Sequence, residues 1–131
     1  MPDVLFKDLD GNEVSLDQFK GRYIYIDLWA SWCAPCLKEI PFLKEFRESY
    51  KDKNIEIVSI SLDEDKDAWR KAVENHNLVG NSWEAGDSGF DKIMNVRGIP
   101  HFMLYGPDGK LIMYKAPRPS SQEIIDIFDK I

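Results

Sequence analysis

The chain has 131 residues, 44% hydrophobic and 31% charged, with 17 basic and 23 acidic side chains and a net charge of −6. That is the length of one domain, 1–131, with an ordinary globular composition and enough chain to bury a core. The acidic balance and the lack of a Lys/Arg cluster argue against a nucleic-acid partner, and no apolar run approaches the length that spans a bilayer.

In chain order, residues 3–7 and 12–15 read as a hairpin around Asp10-Gly11, a turn-prone pair. Ser15 caps a short helical turn that ends at Gly21. Residues 22–30 are apolar almost throughout, as in a central strand covered on both faces. A helix is predicted over 34–51, with Leu37, Ile40, Leu43 and Phe46 on one face and a bend at Pro41. A β-branched strand follows over 55–62. Asp63 is placed to cap a helix over 64–75 whose inward face is Ala68, Trp69, Ala72 and Val73. The polar stretch 76–88 reads as a loop, and a short helix near 89–95 leads to Pro100. Residues 101–105 and 110–114 form a second hairpin over Gly106-Pro107-Asp108-Gly109. Ser120 and Glu123 suggest a capping box for a last helix to 130. Strands alternating with helices and a closing hairpin predict an α/β fold: a central mixed sheet with helices on both faces.

The only two cysteines are Cys33 and Cys36, within Trp29-Ala30-Ser31-Trp32-Cys33-Ala34-Pro35-Cys36. Cys33 sits where a strand hands over to a helix, so its sulfur lies near unpaired helix N–H groups and the positive end of the dipole. Pro35 suits the first helical turn. This placement favours a reactive thiolate. Cys33 is therefore read as the nucleophile and Cys36, a turn further in, as the resolving thiol. A zinc site would need two more ligands, and only His76 and His101 are available, without the short spacing of a Cys2His2 site. No metal and no organic cofactor is expected, since the cysteine pair itself carries two electrons. Asp27 interrupts a buried strand; it is read as a carboxyl of raised pKa that takes a proton from Cys36, with a satisfied structural aspartate as the bland alternative. Trp29 is placed in the core, and Trp32 on an exposed apolar docking surface.

These residues resemble the active site of the thioredoxin superfamily, in the branch typified by TlpA and ResA. The resemblance covers nearly the whole chain: Phe6-Lys7-Asp8-Leu9-Asp10-Gly11, the cysteine motif, Glu39, Pro41 and Gly98-Ile99-Pro100 all occur in order. It implies a thioredoxin-like fold with an N-terminal hairpin extension. It also implies a cis Ile99–Pro100 bond facing the disulfide, an Ile99 backbone that binds an extended substrate, and a Glu39 that tunes the cysteines. Glu39 read from the residues alone is a solvated or dipole-complementing side chain. One departure is Asp27, where many TlpA-like proteins carry Asn.

The implied activity is thiol-disulfide exchange, reducing protein disulfides as a monomer, with electrons from a membrane-embedded or thioredoxin-type donor. The implied location is extracytoplasmic, as an exported or anchored domain whose signal is removed; no signal peptide is visible in Met1-Pro2-Asp3 ahead of the expected first strand, and a cytosolic protein is the alternative. Two other readings are weighed. A thiol-dependent peroxidase of the redoxin group would need a proline upstream of a Thr or Ser placed three before the cysteine, and Ala30-Ser31-Trp32-Cys33 lacks that pattern. A non-catalytic redox-sensing module would not need both the cysteine pair and the Pro100 loop.

Overall fold

The computed structural model describes residues 1–78 and 80–131. At the centre lies β3 (Tyr23–Trp29), six of whose seven residues are buried. It pairs in parallel with β4 (Ile55–Ser61) and antiparallel with β6 (His101–Tyr105). The remaining strands are β1 (Phe6–Lys7), β2 (Glu13–Val14), β5 (Asn81–Glu84) and β7 (Leu111–Met113). The sheet order is β2-β1-β5-β4-β3-β6-β7. β5 runs parallel to β4, whereas β1–β5, β1–β2 and β6–β7 are antiparallel.

Alternation along β3 sorts its side chains onto two faces. Tyr25 joins Leu43 and Phe46 of α1 (Ala34–Ser49) and Ile124 and Phe128 of α4 (Gln122–Asp129). Trp29 packs with Trp69, Ala72 and Val73 of α2 (Lys66–Asn75). On the opposite face Ile24, Ile26 and Leu28 pack with Val58, Ile60 and Phe90, the last from the single turn α3 (Phe90–Ile93). The mixed sheet with helices on both faces is as the sequence predicts.

Three details differ from the sequence reading. The predicted loop 76–88 contains β5, which inserts between β4 and β1 and joins the N-terminal hairpin to the sheet; Val79 of that stretch lies outside the described residues. Trp83 anchors β5 by stacking on Phe6 at 5.6 Å and on Phe19 at 5.7 Å between ring centroids. Burying an aromatic side chain of this kind contributes roughly 1.5–3 kcal/mol. The cap of α2 is Asp65, whose side chain accepts from Asp67 and Ala68 N–H, and not Asp63. The cap of α4 is Ser121, one residue past the predicted Ser120, so the Ser120–Glu123 box does not form. Asp63 and Ser120 are engaged elsewhere, at the site described next. α1 runs through Pro41, which leaves the Leu37 carbonyl without its ladder donor.

Candidate active site

The turn between β3 and α1 places the two sulfurs. Cys33 N–H donates to the Ala30 carbonyl at 3.1 Å, closing the turn over Ser31 and Trp32. Cys33 is the N-cap residue of α1, with extended backbone, and its Sγ accepts the Cys36 N–H at 3.3 Å. A helix amide thus points at the sulfur that sequence reasoning assigned as nucleophile, where it favours the thiolate. The pair forms a disulfide with a Cα–Cα distance of 5.2 Å, and both residues are buried beside Trp29, Ile40 and Trp69.

Asp63 holds that turn, a role the sequence reading missed. Its carboxylate accepts Ser31 N–H at 3.0 Å, Ser31 Oγ–H at 2.6 Å and Ser61 Oγ–H at 2.5 Å. The next residue, Trp32, is displayed outward and is 71% exposed. Ser31, Ser61 and Asp63 come from the ends of two adjacent parallel strands. The sequence carries no local signal for this, because the partners of Asp63 include Ser31 from the turn after the neighbouring strand.

Asp27 lies on the face of β3 that α1 covers, between Tyr25 and Trp29, and is 4% exposed. Its Oδ2 accepts the Ser59 hydroxyl at 3.1 Å from the neighbouring strand. Arg47, from α1, donates in turn to Ser59 Oγ at 3.1 Å. Burial pushes the Asp27 carboxyl up to about 7, the Ser59 bond and the Arg47 charge oppose the rise, and the Glu39 charge adds to it. Burial also pulls the Arg47 guanidinium down, against the charges of Asp27 and Glu56. Neither Arg47 nor Ser59 was picked out from sequence: a charged residue on a helix face is ordinarily solvated, and a small serine within the apolar strand β4 gives no signal of its own.

Glu39, one turn beyond Cys36, is buried, with its carboxylate turned to the segment that precedes α4. It accepts Ser120 N–H and Ser120 Oγ–H, each at 2.9 Å. The Ile99–Pro100 peptide bond is cis. Ile99 packs against the buried cluster that contains Cys33 and Cys36. The structure therefore gathers Cys33, Cys36 and Ile99 in one cluster at the start of α1, with Trp32 next to the first sulfur in the chain, Pro100 next to Ile99 and Glu39 one turn along the helix. The partners of Asp27, two residues before the end of β3, are instead Ser59 and through it Arg47 of the last turn of α1.

The two histidines lie far apart in the chain, and His101 is the residue next to Pro100. His76 ends α2, and His101 opens β6, its Nε2–H donating to the Tyr114 carbonyl at 2.7 Å. Among the described residues no set of three or more His, Cys, Asp or Glu side chains converges to hold a metal ion. No helix among them is long and apolar enough to cross a membrane.

Comparison with known proteins agrees with this geometry. The Redoxin family model matches residues 1–122. The chain is 30% identical over 132 aligned positions to the thiol-disulfide oxidoreductase ResA of Bacillus thuringiensis subsp. konkukian, covering 99% of this chain and 75% of the relative. A Bacteroides vulgatus protein designated a thiol-disulfide oxidoreductase superposes with a TM-score of 0.91 at 33% identity, over 97% of this chain and 90% of that one. The thioredoxin domain of a second thiol-disulfide oxidoreductase from Bacteroides vulgatus gives 0.87 at 31% identity, over 98% and 92%. With its paired cysteines at the head of α1, the chain belongs to the Redoxin family, in the ResA-like thiol-disulfide oxidoreductase branch of the thioredoxin superfamily.

Proposed function

We propose that the chain works as a reductase of disulfides in protein substrates. The observation that carries the reading is the Cys33 sulfur at the head of α1, accepting a helix amide, with a carboxyl raised to about 7 buried under the same helix.

The reaction starts from the dithiol. The Cys33 thiolate attacks one sulfur of the substrate disulfide, forming a mixed disulfide and releasing the other substrate sulfur as a thiolate. Asp27, ionised, takes the Cys36 proton through the site. The Cys36 thiolate then attacks Cys33 Sγ, which restores the Cys33–Cys36 disulfide and releases the second substrate sulfur. Two electrons pass to the substrate, and its two thiolates take up one proton returned by Asp27 and one from solvent, which had received the Cys33 proton. A carboxyl near 7 suits this work, because it both accepts and returns a proton at neutral pH. Trp32 offers an apolar platform beside the attacking sulfur, and the Ile99 backbone with Pro100 borders the path of an extended substrate strand. Glu39 adds negative charge beneath the site and fixes Ser120.

A donor must return two electrons to the disulfide; a membrane-embedded or thioredoxin-type dithiol protein is the fitting class. An extracytoplasmic location, supported by the likeness to ResA, and a monomeric state complete the reading. The test is the reduction potential of the pair, by equilibration in defined thiol buffers. A value near −270 mV, the range of thioredoxin, is expected of a reductase; one near −120 mV, about that of DsbA, reverses the direction.

A further inference from the structure

Beside Pro100 a cleft of about 600 Å³ opens between the chain before the cis bond and the chain after β7. Arg97, Lys115 and Arg118 line it, all exposed. No carboxylate lines it, and among the described residues none of these three cations has an ion-pair partner. On a chain with 23 acidic against 17 basic residues, this concentration of one sign runs against the overall balance.

The walls are fixed. Tyr114 Oη–H donates to the Met94 and Asn95 carbonyls at 2.6 and 2.8 Å, tethering the chain that leads to Arg97. On the other wall Ala116 N–H donates to Phe102 O at 2.8 Å and Tyr25 Oη–H to Pro117 O at 2.6 Å. Beyond Arg118, Ser120 is held by Glu39. One wall reaches the redox pair, where Ile99 packs against the cluster of the two cysteines, and the other is tied to α1 at Glu39, one turn past Cys36. A separate groove, lined by Trp32, Leu62, Glu64 and Asp65, carries the opposite sign.

We propose that the cationic cleft recognises an acidic polypeptide segment lying to one side of the substrate's disulfide cysteine. The proposal rests on the reductase reading and gives that substrate a class. Three exposed cations spread over two walls, with Pro100 and Tyr114 between them, suit carboxylates distributed along an extended chain; a small anion is held by donors converging on one point. The acidic groove beside Trp32 repels the same carboxylates, so the pair of surfaces sets the direction in which the substrate lies.

The test uses two synthetic peptides, each closed by one disulfide, that differ only in carrying aspartates or asparagines next to one cysteine. Binding to the oxidised protein and reduction by the dithiol form are measured separately. The expected result is a preference for the aspartate peptide of about tenfold at low ionic strength, falling with added salt. In the triple variant Arg97→Gln, Lys115→Gln, Arg118→Gln the ratio between the peptides collapses towards one. Equal binding of both peptides, or a preference that survives in the triple variant, overturns the proposal. So does inorganic phosphate binding as tightly as the aspartate peptide, which makes the cleft a small-anion site. Selective binding without reduction keeps the cleft and removes the reductase reading; reduction of both peptides at equal rate with equal binding does the reverse.

Discussion

Ser59 gives its hydroxyl proton to Asp27, at 3.1 Å, and accepts from Arg47 on its other side. One hydroxyl thus relays a helix cation to a carboxyl buried in the strand next door. The arrangement holds Asp27 below the value that burial alone would give it.

Replacing Ser59 by alanine removes that restraint. The Asp27 carboxyl then rises further, and the pH midpoint of turnover moves upward by up to about one unit. A pH–rate profile of Ser59→Ala checks this. An unmoved midpoint would mean that the group titrating in the profile is not Asp27.

Asp27→Asn acts on stability as well as on rate. The folded value, about 7, lies above the ordinary carboxyl value of 3.8, so the unfolded chain releases its proton first. The contribution of Asp27 to folding is therefore full below about pH 4 and is lost as pH rises to about 7. Denaturant unfolding should show the variant gaining on the parent across that window, by on the order of a few kcal/mol at pH 8. Turnover at neutral pH should fall in the same variant. A difference in stability independent of pH would remove the titration from the account.

Glu39→Gln should move the profile the other way from Ser59→Ala. It deletes a negative charge that raises Asp27. It also turns one carboxylate oxygen of the Ser120 pair into an NH2 that donates to Ser120 Oγ while the remaining oxygen accepts Ser120 N–H, so the pair loses its charge assistance, about 1 kcal/mol. Alkylation rates of Cys33 and Cys36 against pH, with thermal unfolding alongside, separate the two effects. No change in either would return Glu39 to the class of inert buried acids.

Asp63→Ala tests the turn that displays Trp32. Three donors, Ser31 N–H, Ser31 Oγ and Ser61 Oγ, lose their carboxylate acceptor. The expected loss of stability is about 2–4 kcal/mol, with slower exchange towards protein substrates than towards a small disulfide. An equal fall on both substrates would place the effect on the sulfurs and not on docking.

The strand–helix frame and the sulfurs at its junction were legible because the local signals agree with the tertiary outcome. The apolar run into Trp29 is buried on both faces, and Pro35 sits in the first turn of α1. The two misplaced caps share one cause. Asp63 and Ser120 look like free capping residues, yet tertiary partners claim both: Ser31 and Ser61 take the first, Glu39 the second. Strand β5 was illegible for a related reason. Asn-Ser-Trp-Glu is a polar sequence, and its inward Glu84 is tolerated through Lys66, 3.4 Å away on a different element. Arg47 reads as a surface helix residue until Gly80, at φ +87°, lets the chain pass against its guanidinium.

That hidden strand also governs when the molecule can close. The N-terminal hairpin touches the rest of the sheet through the Lys7–Glu84 pairing, so it has no edge to join until β5 has docked on β4. These strands precede β3 and β4 in the chain yet are among the last to be paired, and loop closure across α1 and α2 precedes their reward. Amide exchange should find Phe6 and Val14 protected late in refolding, after the β3–β4 core has already formed.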